Sequence, residues 1–132
     1  MLKDIQRLIQ SQADFIISQQ LPSGAIPWYQ GGITDPWDHV ECAMALDFSG
    51  RFSEAGLAYK WMHDTQNPDG SWYSSYLNDK AQDLTKDTNF STYIATGLWF
   101  HHLSSRDLDF LRYMWPAVEK GIDFALSLQQ PD

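Results

Sequence analysis

The chain has 132 residues, of which 43% are hydrophobic and 14% aromatic, a composition that excludes disorder at a length that allows one domain. Its formal net charge of −8 argues against nucleic acid or an anionic membrane as a partner, because both need clustered Lys and Arg. The single cysteine, Cys42, excludes a disulfide framework within one chain and favours a reducing compartment. Neither a signal peptide nor a run of about 18 apolar residues is present, so we expect a soluble, cytoplasmic protein without a membrane span.

Five segments have helical periodicity, and they alternate in character along the chain. The first, third and fifth have one apolar stripe, whereas the second and fourth are apolar around most of their circumference. The five segments are, in chain order, about 3–20, 36–48, 52–65, 89–103 and 106–128. Asp35 and Pro36 form a helix start at the second segment, and Pro116 restarts or kinks the fifth. We predict amphipathic outer helices and inner helices that are buried on nearly all sides, with a loop or short hairpin over 78–86.

A phrase made of an aromatic residue, a glutamine, a proline and a glycine follows the outer helices. Its copies are Phe15 to Gly24, with Trp28 after it, Trp61 to Trp72, and Phe124 to Asp132, where the third copy stops before its glycine. Successive glutamines of the phrase are 46 and 63 residues apart, a period typical of stacked or closed repeat architectures. We therefore expect an all-α fold in which consecutive helical hairpins form an α/α toroid or an arc of one, with a plain helical bundle as the alternative and residues 1–132 as a single partial domain.

The same residues resemble the α/α-toroid superfamily, which includes six-hairpin glycosidases, terpenoid cyclases and protein prenyltransferases. Gln66 to Trp72 resembles the Gln-Trp repeat of the squalene-hopene cyclases, and Asp109 to Phe124 resembles an outer helix of the glucoamylase-like glycosidases. Asp35 to Glu41 and Asp87 to Asn89 are most similar to the inner-helix starts of uncharacterised bacterial toroid proteins of prenyltransferase-like type. The resemblance implies about six hairpins, and thus an arc of an (α/α)6 toroid, whereas this chain holds about two and a half. We expect an N-terminal fragment.

In such toroids the ligand lies in the bowl where the inner helices begin, which makes Asp38, Glu41 and Asp87 the catalytic candidates. Glycoside hydrolysis needs two carboxyl groups, roughly 6.5–9.5 Å apart for inversion and about 5–5.5 Å apart for retention. Asp38 and Asp87, from neighbouring inner helices, could meet this geometry. Carboxylates near a helix start also serve as caps or complement the helix dipole, and that position lowers their pKa, which suits a base better than an acid.

Further candidates for substrate binding are polar groups at the same helix starts and aromatic residues near the repeat turns. They are Asp35, Trp37, His39, Trp72, Tyr76 and Asn89. Each has a structural alternative: Asp35 is an ordinary N-cap, His39 can be a satisfied core histidine, and most of the aromatic rings can be packing residues. Asp38 and Cys42 are one helical turn apart but lack the further ligands that zinc requires, so no metal site and no cofactor are expected.

These residues favour a carbohydrate-active toroid that binds a neutral glycan or glycoconjugate, with hydrolysis by paired carboxylates if the ring is complete. The first alternative is an isoprenoid enzyme of terpenoid cyclase or prenyltransferase type, which would need an apolar, aromatic bowl. The second is a non-catalytic fragment that assembles with itself. In either case an incomplete ring leaves apolar hairpin edges exposed, so we expect a homo-oligomer.

Overall fold

A computed structural model describes residues 1–130, so the last two residues of the third repeat copy lie outside the described residues. Five helices and one antiparallel hairpin make up this part of the chain. The elements are α1 (Leu2–Gln19), α2 (Pro36–Phe48), α3 (Phe52–Thr65), β1 (Tyr73–Leu77), β2 (Lys80–Lys86), α4 (Thr88–Ser105) and α5 (Leu108–Ser127). The prediction of a mostly helical chain is confirmed. The stretch 78–86, for which the sequence allowed either a loop or a short hairpin, belongs to a hairpin whose first strand begins at Tyr73.

Helices α2 and α4 lie side by side at the centre of the molecule. α3 packs against α2, α5 packs against α4, and α1 makes only a few contacts with α2. The core between these helices is built from buried apolar side chains, including Val40 and Leu46 of α2, Tyr59 of α3, Ile94 of α4 and Met114 of α5. The two segments predicted to be apolar around most of their circumference are therefore the central pair, whereas their place as inner helices of a toroid stays a prediction.

Both inner helices begin at an aspartate. Asp35 accepts hydrogen bonds from the backbone N–H groups of Trp37 and Asp38 at 2.9 and 3.0 Å, and Pro36 occupies the first helical position. Asp87 accepts from the backbone N–H of Asn89 at 2.7 Å. Because these side chains satisfy amide groups that have no partner within the helix, they fix where α2 and α4 start.

The repeated phrase forms the same structure in its first two copies. The Gln20 side chain donates to the carbonyls of Gly24, in its own turn, and of Glu54, on α3, at 3.1 and 3.0 Å. The Gln66 side chain donates to the Gly70 carbonyl at 3.0 Å and to a carbonyl of α5 at 2.8 Å. Each glutamine thus ties the turn after one outer helix to the next outer helix.

The repeated phrase needs a glycine because its turn lies very close to the backbone of the next outer helix. Gly70 has φ +90°, and a Cβ there would lie 2.0 Å from the carbonyl oxygen of Lys120. Gly50 has a similar φ of +82°, but a Cβ there would meet no atom within 4 Å. We expect Gly50→Ala to cost about 1–2 kcal/mol of unfolding free energy through left-handed backbone alone. Gly70→Ala should cost about 1–3 kcal/mol more, because the turn must also move away from α5.

Urea unfolding of the two glycine variants separates the backbone strain from the clash with α5. Both variants carry the strain, and only Gly70→Ala carries the clash. Equal losses in the two variants would contradict a close approach between this turn and α5.

The inner helices are less buried than predicted. Phe48 of α2 is 68% exposed and Trp99 of α4 is 60% exposed, because no described element packs against those faces. Most apolar residues of α1 are exposed or half-buried, and Ala13 is its one fully buried side chain. The prediction of burial on nearly all sides was wrong for these faces. Within residues 1–130, no helix combines the length and apolar character needed to cross a membrane.

Candidate functional site

An open cleft of about 410 Å³ lies where α2 and α4 begin, and we call it the acidic cleft. It is lined by Trp28, Ile33, Asp35, Trp37, Asp38, Ser74, Ser75, Asp83, Asp87 and Phe90. The cleft brings together Asp38 and Asp87, the carboxylates that the sequence predicted as a pair, with Asp35 and Trp37 beside them. The hairpin closes one side of the cleft. It is held there by two backbone hydrogen bonds, from the Thr34 N–H to the Tyr76 carbonyl at 2.9 Å and from the Tyr76 N–H to the Thr34 carbonyl at 2.8 Å.

Asp38 lies where the protonated form of its carboxyl group is favoured more than it would be in water. Partial burial raises the pKa of Asp38 above its ordinary value, and the negative charges of Asp35 and Glu41 raise it further. This direction is opposite to the lowering expected from a helix N-terminus, because burial and the neighbouring charges raise the pKa. Such a group suits a general acid better than a base.

Asp35 is held in place while it repels Asp38. It is 5% exposed, and one carboxylate oxygen caps α2 while the other accepts a hydrogen bond from the indole N–H of Trp28. The hydrogen bonds of Asp35 are therefore those of the N-cap that was given as the alternative to a binding role. Its charge nevertheless acts on Asp38, so it is a positioning residue for the cleft.

Glu41 lies outside the acidic cleft, in an aromatic cluster between α2 and α4. Its Oε1 accepts from the Trp37 indole N–H at 2.9 Å and from the Tyr93 hydroxyl at 3.2 Å. The rings of Trp37 and Tyr93 are stacked with centroids 3.9 Å apart. Burial and then the hydrogen bond and charge of Glu41 raise the pKa of Tyr93, which keeps this phenol a donor. The cluster orients Trp37, whose edge lines the cleft.

Three predicted binding residues lie in the core. His39 is fully buried, with Nδ1 accepting from the Ile26 backbone N–H at 3.0 Å and Nε2 2.8 Å from the Ala58 carbonyl. Burial lowers the pKa of His39 to about 4, so its ring is neutral and donates from Nε2. Trp72 and Tyr76 are 0% and 4% exposed. These three side chains contact protein rather than open space, and the ligand contacts predicted for them stay predictions. Asn89 is exposed and does not line the cleft.

A second cavity of about 360 Å³ lies between α1 and α2, and we call it the apolar cavity. It is lined by Phe15, Ile16, Gln19, Ile26, Pro27, Trp28, Asp38, Glu41, Cys42 and Ala45. Trp28 and Asp38 line both cavities, so they stand at the boundary between the acidic cleft and the apolar cavity. The Trp28 ring is 56% exposed and offers an open face at this boundary.

Sequence reasoning missed Asp83 and underrated Trp28. Asp83 comes from β2, which pairs with β1 across a turn in which Asn78 and Asp79 both have positive φ. Asn and Asp tolerate this conformation and are typical of tight hairpins, so the pair was the available signal for a hairpin beside α4. Trp28 follows the first repeat turn as Trp72 follows the second, and nothing in the sequence distinguishes the exposed ring from the buried one.

The chemistry available in the site is that of carboxyl groups. Among residues 1–130, no group of three His, Cys, Asp or Glu side chains is arranged to hold a metal ion. Burial first, and then the charges of Asp38, Glu41 and Asp35, raise the pKa of Cys42 to about 11. Its thiol is therefore protonated at neutral pH and is not a nucleophile.

One comparison with known proteins bears on this site. No protein family model matches the chain. It is 49% identical over 119 residues to a protein of Mycolicibacterium hassiacum named MMP endo-(1,4)-3-O-methyl-alpha-D-mannosidase. The match covers 90% of this chain and 33% of that protein, so the chain spans about one third of the relative's length. The name describes that protein as a glycosidase.

Proposed function

We propose that this protein is an endo-acting glycoside hydrolase whose substrate contains α-(1,4)-linked mannose units with 3-O-methyl groups, and that the acidic cleft is its catalytic site. The observation that carries the proposal is that Asp38 and Asp87 lie in one cleft. The 49% identity to a mannosidase supplies the substrate class. The helices form an arc of an α/α toroid in this proposal, with the cleft at the rim where the inner helices begin.

The step requires one carboxyl group that gives a proton and one that takes a proton. Asp38 donates its proton to the glycosidic oxygen as the bond from the anomeric carbon to that oxygen breaks. Asp87 removes a proton from a water molecule, whose oxygen forms the new bond to the anomeric carbon. The raised pKa of Asp38 supports its role as the acid. If Asp87 instead attacks carbon directly, the reaction proceeds with retention, so the anomer released first distinguishes the two routes.

The lining of the cleft favours a sugar over an isoprenoid substrate. Ser74, Ser75 and the aspartates offer hydrogen-bonding groups around an open cleft, whereas carbocation chemistry needs an enclosed aromatic cavity. Trp28 supplies an exposed ring on which a sugar can stack, next to the proposed acid.

Self-association remains a second proposal, and the exposed apolar faces support it. Phe48 of α2 and Trp99 of α4 are each more than half exposed, as expected for an arc whose edges are uncovered. Large apolar patches of this kind usually mark association sites.

The proposed function is tested with the protein at its full natural length and a defined oligosaccharide of α-(1,4)-linked 3-O-methyl-mannose. We expect cleavage at internal linkages, seen by mass spectrometry as several shorter oligomers from the first time points. Proton NMR of fresh product gives the anomer and hence the route. An oligosaccharide that is neither cleaved nor bound would overturn the proposal.

A further inference from the structure

The apolar cavity joins the acidic cleft at the proposed acid itself. Asp38 and Trp28 line both spaces, so a sugar placed for proton transfer from Asp38 has one side facing the apolar cavity. The other lining groups come from α1, from the loop before α2, and from one face of α2. The cavity is therefore placed to contact the sugar unit at the bond that breaks.

The lining of this cavity suits a methyl group better than a hydroxyl group. Phe15, Ile16, Ile26, Pro27 and Ala45 present carbon atoms, and Cys42 presents a neutral thiol that is a weak hydrogen-bonding group. The polar lining groups are Asp38, at the boundary with the acidic cleft, Glu41, whose Oε1 already accepts from Trp37 and Tyr93, and Gln19, which donates to Ser18 Oγ. A free sugar hydroxyl directed at the carbon atoms would lose its hydrogen bonds to water without replacement. An O-methyl group has no donor to satisfy and adds apolar surface.

We propose that the apolar cavity is the subsite for an O-methyl group of the sugar unit next to the cleaved bond. This inference rests on the proposed function. Cys42 and Ala45, one turn apart on α2, determine the preference for methylated over unmethylated mannosides. Ala45 is exposed into the available space, so the small size of its side chain leaves room for the methyl group.

Two substitutions change the cavity in different ways. Ala45→Leu fills it with carbon and keeps a good helix former on α2. Cys42→Ser keeps the size of the side chain nearly unchanged and introduces a hydroxyl that can pair with a free sugar hydroxyl. Thr96→Leu is the control, because it places the same leucine side chain at an exposed position of the other inner helix, outside both cavities.

The experiment compares kcat/KM for two α-(1,4)-oligomannosides of equal length, one 3-O-methylated and one unmethylated. We expect the unmodified protein and Thr96→Leu to prefer the methylated substrate by about 10- to 100-fold, the range typical of one methyl-sized group in an apolar pocket. Ala45→Leu should reduce that ratio about tenfold, through loss on the methylated substrate. Cys42→Ser should reduce it through gain on the unmethylated one.

The outcomes separate this inference from the function on which it rests. Equal rates on both substrates, or a ratio unchanged in Ala45→Leu and Cys42→Ser, would overturn the methyl subsite and leave the hydrolase intact. Failure to cleave or bind either substrate would overturn both. If Ala45→Leu does not fold, the nearly isosteric Cys42→Ser decides the question by itself.

Discussion

Replacing Asp38 with asparagine should lower kcat for glycoside hydrolysis by about 10²- to 10⁴-fold, the range that general acid catalysis contributes. Asparagine keeps the shape of the side chain but has no proton to give to the leaving oxygen. Asp87→Asn should cause a loss of similar size, because water then has no carboxylate base. KM should change little in either variant, since neither group is assigned to ground-state binding.

The pH dependence identifies which carboxyl group is the acid. A general acid works only while protonated, so the rate should fall as pH rises through the raised pKa of Asp38. In Asp38→Asn this decline at higher pH should disappear. Asp35→Asn keeps a capping side chain but removes one of the charges that raise the pKa of Asp38, so the decline should move to lower pH.

The matched control is Asp123→Asn, an exposed helical aspartate on α5 outside the cleft, which should retain full activity. Initial rates on one oligosaccharide, with circular dichroism to verify folding, are sufficient to compare the variants. Unchanged rates in both Asp38→Asn and Asp87→Asn would refute the paired carboxylates.

The helices could be predicted from the sequence because local signals determine their ends. Segments 36–48 and 52–65 match α2 and α3, since an Asp-Pro start and Gly50 between the two helices leave few alternatives. The start of α5 was expected at 106, whereas the helix begins at Leu108 after Arg106 in a left-handed conformation. Pro116 lies within one continuous helix, because packing against α4 outweighs the hydrogen bond that it removes.

The site could be predicted only in part, since it depends on contacts between distant segments. Asp38, in the first turn of α2, and Asp87, at the start of α4, were recognisable because each lies near a helix start, and both line the cleft. Asp83 reaches the same cleft only because β1 pairs with both β2 and Thr34, a long-range geometry without a local signal. The direction of the pKa shift of Asp38 depends in the same way on burial and on how close two other carboxylates lie.

A network of three buried polar side chains joins α2, α3 and α4 at the far ends of the inner helices. Asp47, 2% exposed, accepts from the His101 ring at 2.6 Å, and its other oxygen lies 3.1 Å from the Tyr59 hydroxyl. That hydroxyl is also 3.0 Å from the Gly97 carbonyl. Burial and the charge of Asp47 raise the pKa of Tyr59, which therefore remains a hydrogen-bond donor. The His101 ring depends on Asp47 as an acceptor because both side chains are buried away from water.

Asp47→Ala should lower the free energy of unfolding by about 1–3 kcal/mol for each buried donor that loses its acceptor. The His101 ring would be left in the core without its acceptor, and the Tyr59 hydroxyl would keep only the Gly97 carbonyl. Asp64→Ala is the matched control, because Asp64 is also a helical aspartate with a side-chain partner, Lys60 at 2.7 Å, but is 52% exposed. An exposed pair at this spacing contributes only about 0.3–0.5 kcal/mol.

Urea unfolding of both variants measures the difference, and a loss in Asp47→Ala no larger than in Asp64→Ala would contradict the stabilising role of the network. If Asp47→Ala does not fold, Tyr59→Phe tests the same network, because it removes one hydroxyl and leaves the pair of Asp47 with His101. Its expected loss is about 1–3 kcal/mol, since one acceptor oxygen of a buried carboxylate then has no donor.

The inner helices that hold Asp38 and Asp87 at one end are thus fixed to each other at the opposite end, so a weakened network should also reduce hydrolysis without any change in the cleft.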